Sequence, residues 1–325
     1  MIYFSLHVTC SCIFHVYVPL ILYILIYCLV GAFMIVSLSH SLFLALVCSM
    51  APKCKSTLSQ NPLRSGASTS SSNPTPSHVQ FRDDKARNDF LENFSQQGIH
   101  LEHQVILSDF SNIDLPTVIY SRGWRSLCDI PITCPSVIIQ EFYSNMHGFN
   151  TSVPHFFSHI RGTRIIVTPD IVYEVLHVPR VAYPNYPSYD HLRTVSKDEL
   201  SSLFYETPSS WGDHQNTSYS SFAKGLRFLN MVMTFILHPL SHYNSITKSH
   251  SQFLLSLLKD ISIDFPSHFI LSLIDVYRDT ATRDELIFPS AITWILRHFP
   301  VSYPKSTHFS VMCAIDAATI RQSEA

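Results

Sequence analysis

The first charged side chain in this 325-residue chain is Lys53: no Asp, Glu, Lys or Arg precedes it, so the 22 basic and 24 acidic residues all lie from that position onward. The front suits lipid or a protein interior; the rest suits water. From Val16 to Leu38 the residues are Val, Ile, Leu, Tyr, Phe, Met and Cys, interrupted by Pro19, Gly31, Ala32 and Ser37. A membrane-spanning helix needs about 20 mainly apolar residues, because without water every backbone amide must bond within its own segment. Residues 1–52 therefore read as a separate hydrophobic helix with a candidate span at 16–38, while Leu42 to Val47 is too short to cross. A cleavable secretion signal would begin with basic residues, and none stands ahead of this run. Lys53, Lys55 and Arg64 come after it, which by the positive-inside rule predicts a single-pass membrane protein with a cytosolic body. A competing expectation is that Met50-Ala51-Pro52-Lys53 is itself a start, which would make the product nuclear or cytoplasmic.

Residues 53–79 are rich in Ser, Thr, Pro and Asn, with too few large apolar side chains to offset the entropy of ordering them, so a disordered linker is expected. Residues 80–325 are long enough for one large body. With a net charge of -2 and a pI near 6.8, the chain exerts no general pull on nucleic acid. Four of the eight cysteines (Cys10, Cys12, Cys28, Cys48) fall in the hydrophobic front, and Cys54, Cys128, Cys134 and Cys313 are too scattered for a disulfide framework.

The body reads as mainly α, a helical bundle with a small β hairpin. Asp83 to Gln97 places Ala86, Phe90, Leu91 and Phe94 on one face, with Gly98 as a stop. Pro135 opens a second helix that runs through Tyr143 and closes at Gly148. Thr168-Pro169-Asp170 combines a capping hydroxyl, a proline whose missing amide costs nothing in the first turn, and an acid at the positive end of the dipole. It predicts a helix over Ile171 to Val178. Phe156 to Ile160 and Arg164 to Thr168 are β-rich and flank Arg161-Gly162-Thr163, a short hairpin. Tyr183 to Tyr189 reads as an ordered, extended crossing loop. Phe222 to Leu237, Ser251 to Ile261, Pro266 to Arg278 and Pro289 to Phe299 complete the helical pattern.

Several stretches resemble the plant transposon protein domain, a module found in or beside retroelement reading frames. They are Val137 to Met146, Ile160 to Pro169, the Leu176 to Pro179 turn, Gly225 to His242 and Leu286 to Thr293, within a similarity from about Phe81 to Pro300. The resemblance implies a retroelement-derived, mainly helical domain of unknown activity and supplies no catalytic residues. It also implies that a Met-Ala-Pro-Lys start like Met50 to Lys53 is natural, and that the chain continues beyond Ala325.

No catalytic signature accompanies it. Metal-assisted phosphoryl transfer and aspartic proteolysis need clustered carboxylates. Asp83 and Asp84 instead sit at a helix start, and Asp275, Asp279, Asp284 and Glu285 read as solvated helix-end charges. His155/His159 and His238/His242 have the four-residue spacing of zinc ligands on a helix, but the first pair falls in the hairpin and Pro239 interrupts the second. The five residues between Cys128 and Cys134 fit no zinc-finger spacing. With eight glycines, the chain builds neither a phosphate-binding loop nor a nucleophile elbow. Catalytic, cofactor-binding and metal-binding residues are therefore expected to be absent, and no small-molecule substrate is evident. Arg161 and Arg164 on the hairpin, with Trp124, Arg125 and Arg122, are the candidate contacts to a nucleic acid or a protein partner, although two solvated arginines at a hairpin tip are the plainer reading. The expectation is a non-enzymatic interaction domain; the alternative is a divergent nucleic-acid-binding or hydrolytic protein.

Overall fold

The computed structural model describes residues 79–319 except 131, 133, 207–210, 212–215, 219–221, 240–244, 280–284, 303–307, 310, 311 and 317. The expected membrane span, the linker as far as residue 78, His242 and Asp284 lie outside the described residues. No helix among those described is long and apolar enough to cross a membrane.

Helices dominate. In chain order they are α1 (Asp84–Glu92), α2 (Leu115–Ser121), α3 (Arg125–Asp129), α4 (Ser136–Ser144), α5 (Pro169–Leu176), α6 (Asp190–Thr194), α7 (Lys197–Phe204), α8 (Lys224–Val232), α9 (Lys248–Leu258), α10 (Phe265–Arg278) and α11 (Pro289–His298). Most arise from the local signals. Asp83 caps α1 by accepting a bond from the Ala86 amide, and Thr168 caps α5 by accepting from the Ile171 amide. The last two helices carry prolines in their first turns as expected, Pro266 at the second position of α10 and Pro289 at the first of α11. Two boundaries differ. Pro135 is the residue before α4, and the helix ends at Ser144 with Asn145 as its cap, while Gly148, at φ +63°, lies beyond it in a strand. Helix α5 stops at Leu176 because His177 turns left-handed at φ 54°.

One hairpin was expected, and the described residues hold five small sheets. The largest has three strands in the order β4 (His147–Asn150), β5 (His155–Ile160) and β6 (Thr163–Val167). Ile160 pairs with Thr163, so the turn is Arg161-Gly162, both at positive φ, the geometry whose twist suits a two-residue hairpin. The other sheets are two-stranded and join distant segments: β1 (Gly98–Ile99) with β9 (Glu285–Leu286), β2 (His103–Val105) with β11 (Met312–Ile315), β3 (Cys134–Pro135) with β10 (His308–Phe309), and β7 (Asn216–Ser218) with β8 (Ser245–Thr247). Each partner carries too short a β-run to be seen alone.

A single hydrophobic core unites these elements, from Phe94 and Phe110 through Trp124, Phe142 and Phe156 to Phe269, Ile292 and Ile315. Helix α4 packs across β5, with Phe142 edge-on to Phe156 at 5.8 Å and the Ser158 hydroxyl bonded to the Phe142 carbonyl. Helices α10 and α11 both pack on α5. One face of the three-stranded sheet is thereby buried. The other looks outward.

Candidate functional site

Two surfaces gather chemistry. The first is a cleft of about 510 Å³ between α10 and the segment from Arg180 to Ser188, within the size range of small-ligand pockets. Asp264, nearly buried just before α10, is fully engaged there. Its carboxylate accepts bonds from Arg180 Nε (3.1 Å), the Val181 amide (3.1 Å) and the Ser267 hydroxyl (2.5 Å). Arg180 also pairs with exposed Asp170. The roof is the Tyr-Pro segment, an ordered crossing loop as expected, fastened by the Asn185 and Tyr186 amides bonding the Ser262 carbonyl. Tyr186 packs edge-on to Phe253 and His268, and burial pushes its hydroxyl up to about 12.

His238 and His268 line the cleft floor, with His238 Nδ1 and His268 Nε2 3.1 Å apart. Chain geometry delivers His238: after α8 the helix widens into a π-turn over Met233–Leu237, closed by the His238 amide bonding the Met233 carbonyl. Burial holds His268 down at about 4, against a bond to the Leu237 carbonyl that favours the proton. A neutral His268 donating to that carbonyl accepts from His238 at its other nitrogen. Behind them His250 contacts the His238 carbonyl at 3.1 Å. Ser267 gives its proton to Asp264 and not to an imidazole, so this serine is not set up as a nucleophile beside a histidine base. Among the described residues no group of three or more His, Cys, Asp or Glu is assembled to hold a metal ion.

The second surface is the outward face of the three-stranded sheet. Strand pairing sets Phe157 opposite Ile166 and His159 opposite Arg164, while His147 lies beside Phe157 on β4. The rings form a chain: His159 stacks on His147 at 5.1 Å, His147 meets Phe157 at 5.7 Å, and Phe157 meets His155 edge-on at 6.0 Å. All four are half-buried. Exposed Arg164 lies over the Phe157 ring, 4.3 Å from its centroid. Desolvation is the main cause holding His147 and His159 below the usual histidine range, with Arg82 and Arg164 adding to it at both and His147 at His159.

The arginines and tryptophan singled out in the sequence separate. Arg164 is exposed on this sheet face and Arg125 on the start of α3. Arg161 corrects the solvated reading: its side chain is 10 % exposed, with Nε 3.1 Å from the fully buried Glu141 carboxylate. Trp124 is a core residue, 1 % exposed and 5.5 Å from the Phe265 ring, so it has no face to offer a base. Arg122 lies over Trp124 and bonds the Ile261 and Ser256 carbonyls, holding the end of α9. Glu285 is likewise no helix-end charge, since it lies in a strand with its carboxylate 3.1 Å from buried His100. Cys128 is buried, its thiol pushed up to about 12 by desolvation. The Asp264–Arg180 and His238–His268 pairs are 84 and 30 residues apart in sequence, and no local pattern announces them. The sheet face did leave a sign: Phe142 to Pro169 contains three His and two Arg but no carboxylate.

The sequence model of the family described as Putative plant retrotransposon-related domain matches residues 120–302, more than half of the chain. The chain belongs to this family. Both surfaces of the retrotransposon-related domain fall within the matched residues, whereas α1, α2 up to residue 119 and the strand Met312–Ile315 fall outside them. No curated protein and no solved structure matches the chain.

Proposed function

We propose that this retroelement-derived protein is a non-enzymatic interaction domain that binds a macromolecular partner. The observation that carries this reading is how the reactive groups are used: in the cleft beside α10, Asp264 and Ser267 bond each other, Arg180 and the Val181 amide, and His268 bonds His238, contacts that hold the 180–188 segment on α10. A hydrolase or nuclease needs such groups poised toward substrate. Incubating the full chain with labelled single-stranded and duplex oligonucleotides and unfolded protein, with Mg²⁺ or Mn²⁺, tests it. Every substrate is expected intact. Cleavage lost on replacing Asp264, His238 or His268 would establish the divergent hydrolase instead.

A second reading, membrane anchoring with the body in the cytosol, is favoured by the uncharged Val16 to Leu38 run. Alkaline extraction of untagged protein decides it. The anchored form stays with the membrane; recovery in the soluble fraction, with an N-terminal peptide at Met50 or Ala51, would rule it out in favour of a nuclear or cytoplasmic product.

A further inference from the structure

Resting on the binding-module reading and naming its partner, we propose that the outward face of the β4-β5-β6 sheet is a stacking surface for single-stranded nucleic acid. Phe157 and the His147–His159 pair lie under the bases, and Arg164 meets the backbone phosphates.

Sequence-tolerant binding of single strands takes aromatic faces at successive positions and cations at their margin. This sheet supplies both on one side: a run of four rings with neighbouring centroids 5.1 to 6.0 Å apart, and the exposed Arg164 guanidinium, which lies over the Phe157 ring and must swing out to a phosphate for a base to take that face. The strands explain why the rings meet. Residues alternate faces along a strand, so His155, Phe157 and His159 share the side opposite buried Phe156, Ser158 and Ile160, and strand pairing sets His147 beside Phe157. Phe157 can cover the neighbouring strand closely because Gly148 has no Cβ; one built there would lie 2.9 Å from the Phe157 ring.

Charge points the same way. The chain as a whole carries -2, but no carboxylate occurs between Glu141 and Asp170, and Glu141 is itself buried against Arg161. Phosphate would meet Arg164 without nearby acid from these strands. A surface with so few cations cannot bind by charge alone, so affinity must come from stacking. That selects single strands, whose base faces are open, over a duplex, whose faces are already stacked.

The imidazoles add a sign. The ionisable groups around His147 and His159 are His155 on β5, Arg164 on β6, and Arg82 and Asp83 on the segment leading into α1, with Arg82 already paired to Asp83. Phosphate brought to this face would favour the protonated rings. Binding is therefore expected to tighten as the pH falls below the ordinary histidine value of about 6.5.

Fluorescence anisotropy of the full chain in non-ionic detergent, with a labelled 12-nucleotide uridine strand, the 2′-deoxyuridine strand of equal length and a 12-base-pair duplex, tests the proposal. Both single strands are expected to bind, the duplex at least tenfold more weakly. A preference for the uridine strand would assign contacts to the 2′-hydroxyl, and equal binding would assign base faces and phosphate alone. Phe157→Leu keeps an apolar cover over Gly148 without a ring face, and should weaken binding about tenfold. Arg164→Glu, at an exposed position, should weaken it at least fivefold and make the salt dependence shallower by about 0.7 in log–log slope. Unfolding curves matching the parent's would show that both variants fold. Absent binding by the parent, or unchanged binding by both variants, overturns the proposal. Should the parent ignore oligonucleotides while Arg164→Glu abolishes capture of a protein, the partner class is wrong and the binding module stands. Cutting of the strand would instead sink the module.

Discussion

Arg161 and Glu141, 20 residues apart, close the β5–β6 hairpin onto α4: the Arg161 amide donates to the Glu141 carboxylate at 2.8 Å and its guanidinium Nε lies 3.1 Å from the other oxygen. The same carboxylate accepts from the Gln80 amide, and Asn145 on the next turn grips the Gln80 carbonyl and the Arg82 amide. One buried acid thus ties the entering chain, the helix and the hairpin together.

Removing one member of a buried pair strands the other, at a cost of about 3–5 kcal/mol. Arg161→Ala is expected to lower stability by about 3 kcal/mol in urea unfolding. Burial already pushes the Glu141 carboxyl up, so without Arg161 it is protonated more readily, and the deficit should shrink as the pH is lowered toward 5. A deficit independent of pH would show that the charge is not what matters.

His268 makes the domain acid-sensitive. Its folded value near 4 lies below the ordinary histidine value, so the unfolded chain takes up the proton first. Stability is fully present above about pH 6.5 and falls from there to pH 4, by about 3 kcal/mol for a depression of this size. Thermal melts across that window should show the loss, and His268→Gln should flatten it relative to the parent.

Glu102 stabilises the start of α11 from a position 188 residues away. Its buried carboxylate accepts from the Ser290 amide at 3.0 Å and the Ala291 amide at 3.3 Å, at the positive end of the helix. Glu102→Ala leaves both amides without that acceptor and should cost about 2–3 kcal/mol. Hydrogen exchange at Ser290 and Ala291 should accelerate accordingly; unchanged protection would mean that the cap is dispensable. Glu102→Gln should cost less, because burial pushes the native carboxyl up and its charge is already disfavoured.

The family match is smaller than the folding unit. Phe94, Val105, Leu107, Phe110, Leu115 and Ile119 precede residue 120 and Ile315 lies beyond residue 302, yet all belong to the core. Losing a buried Phe alone costs about 3–5 kcal/mol, a large part of a domain's net stability. A fragment of residues 120–302 is expected to lack a cooperative melt, while residues 79–325 should retain one. Circular dichroism decides between them.

Much of the helical framework was legible because its signals are local. Asp83 and Thr168 cap, Pro266 and Pro289 open, and apolar spacing marks the faces, all within one or two turns of chain. The Arg161-Gly162 turn was legible for the same reason. The third strand was not: His147–Asn150 is short, half-polar and becomes a strand only by pairing with β5.

Sequence alone set the uncharged front, the helix starts and the absence of any local catalytic pattern, since each depends on composition or on residues within a few positions. Tertiary structure decided which polar groups are spent on the fold and which face outward. It buried Arg161 against Glu141 and Trp124 under Arg122, and left Arg164 in the open beside Phe157. The physical reason is that desolvation and pairing are set by neighbours brought together from far along the chain, so identical side chains three positions apart acquire opposite roles.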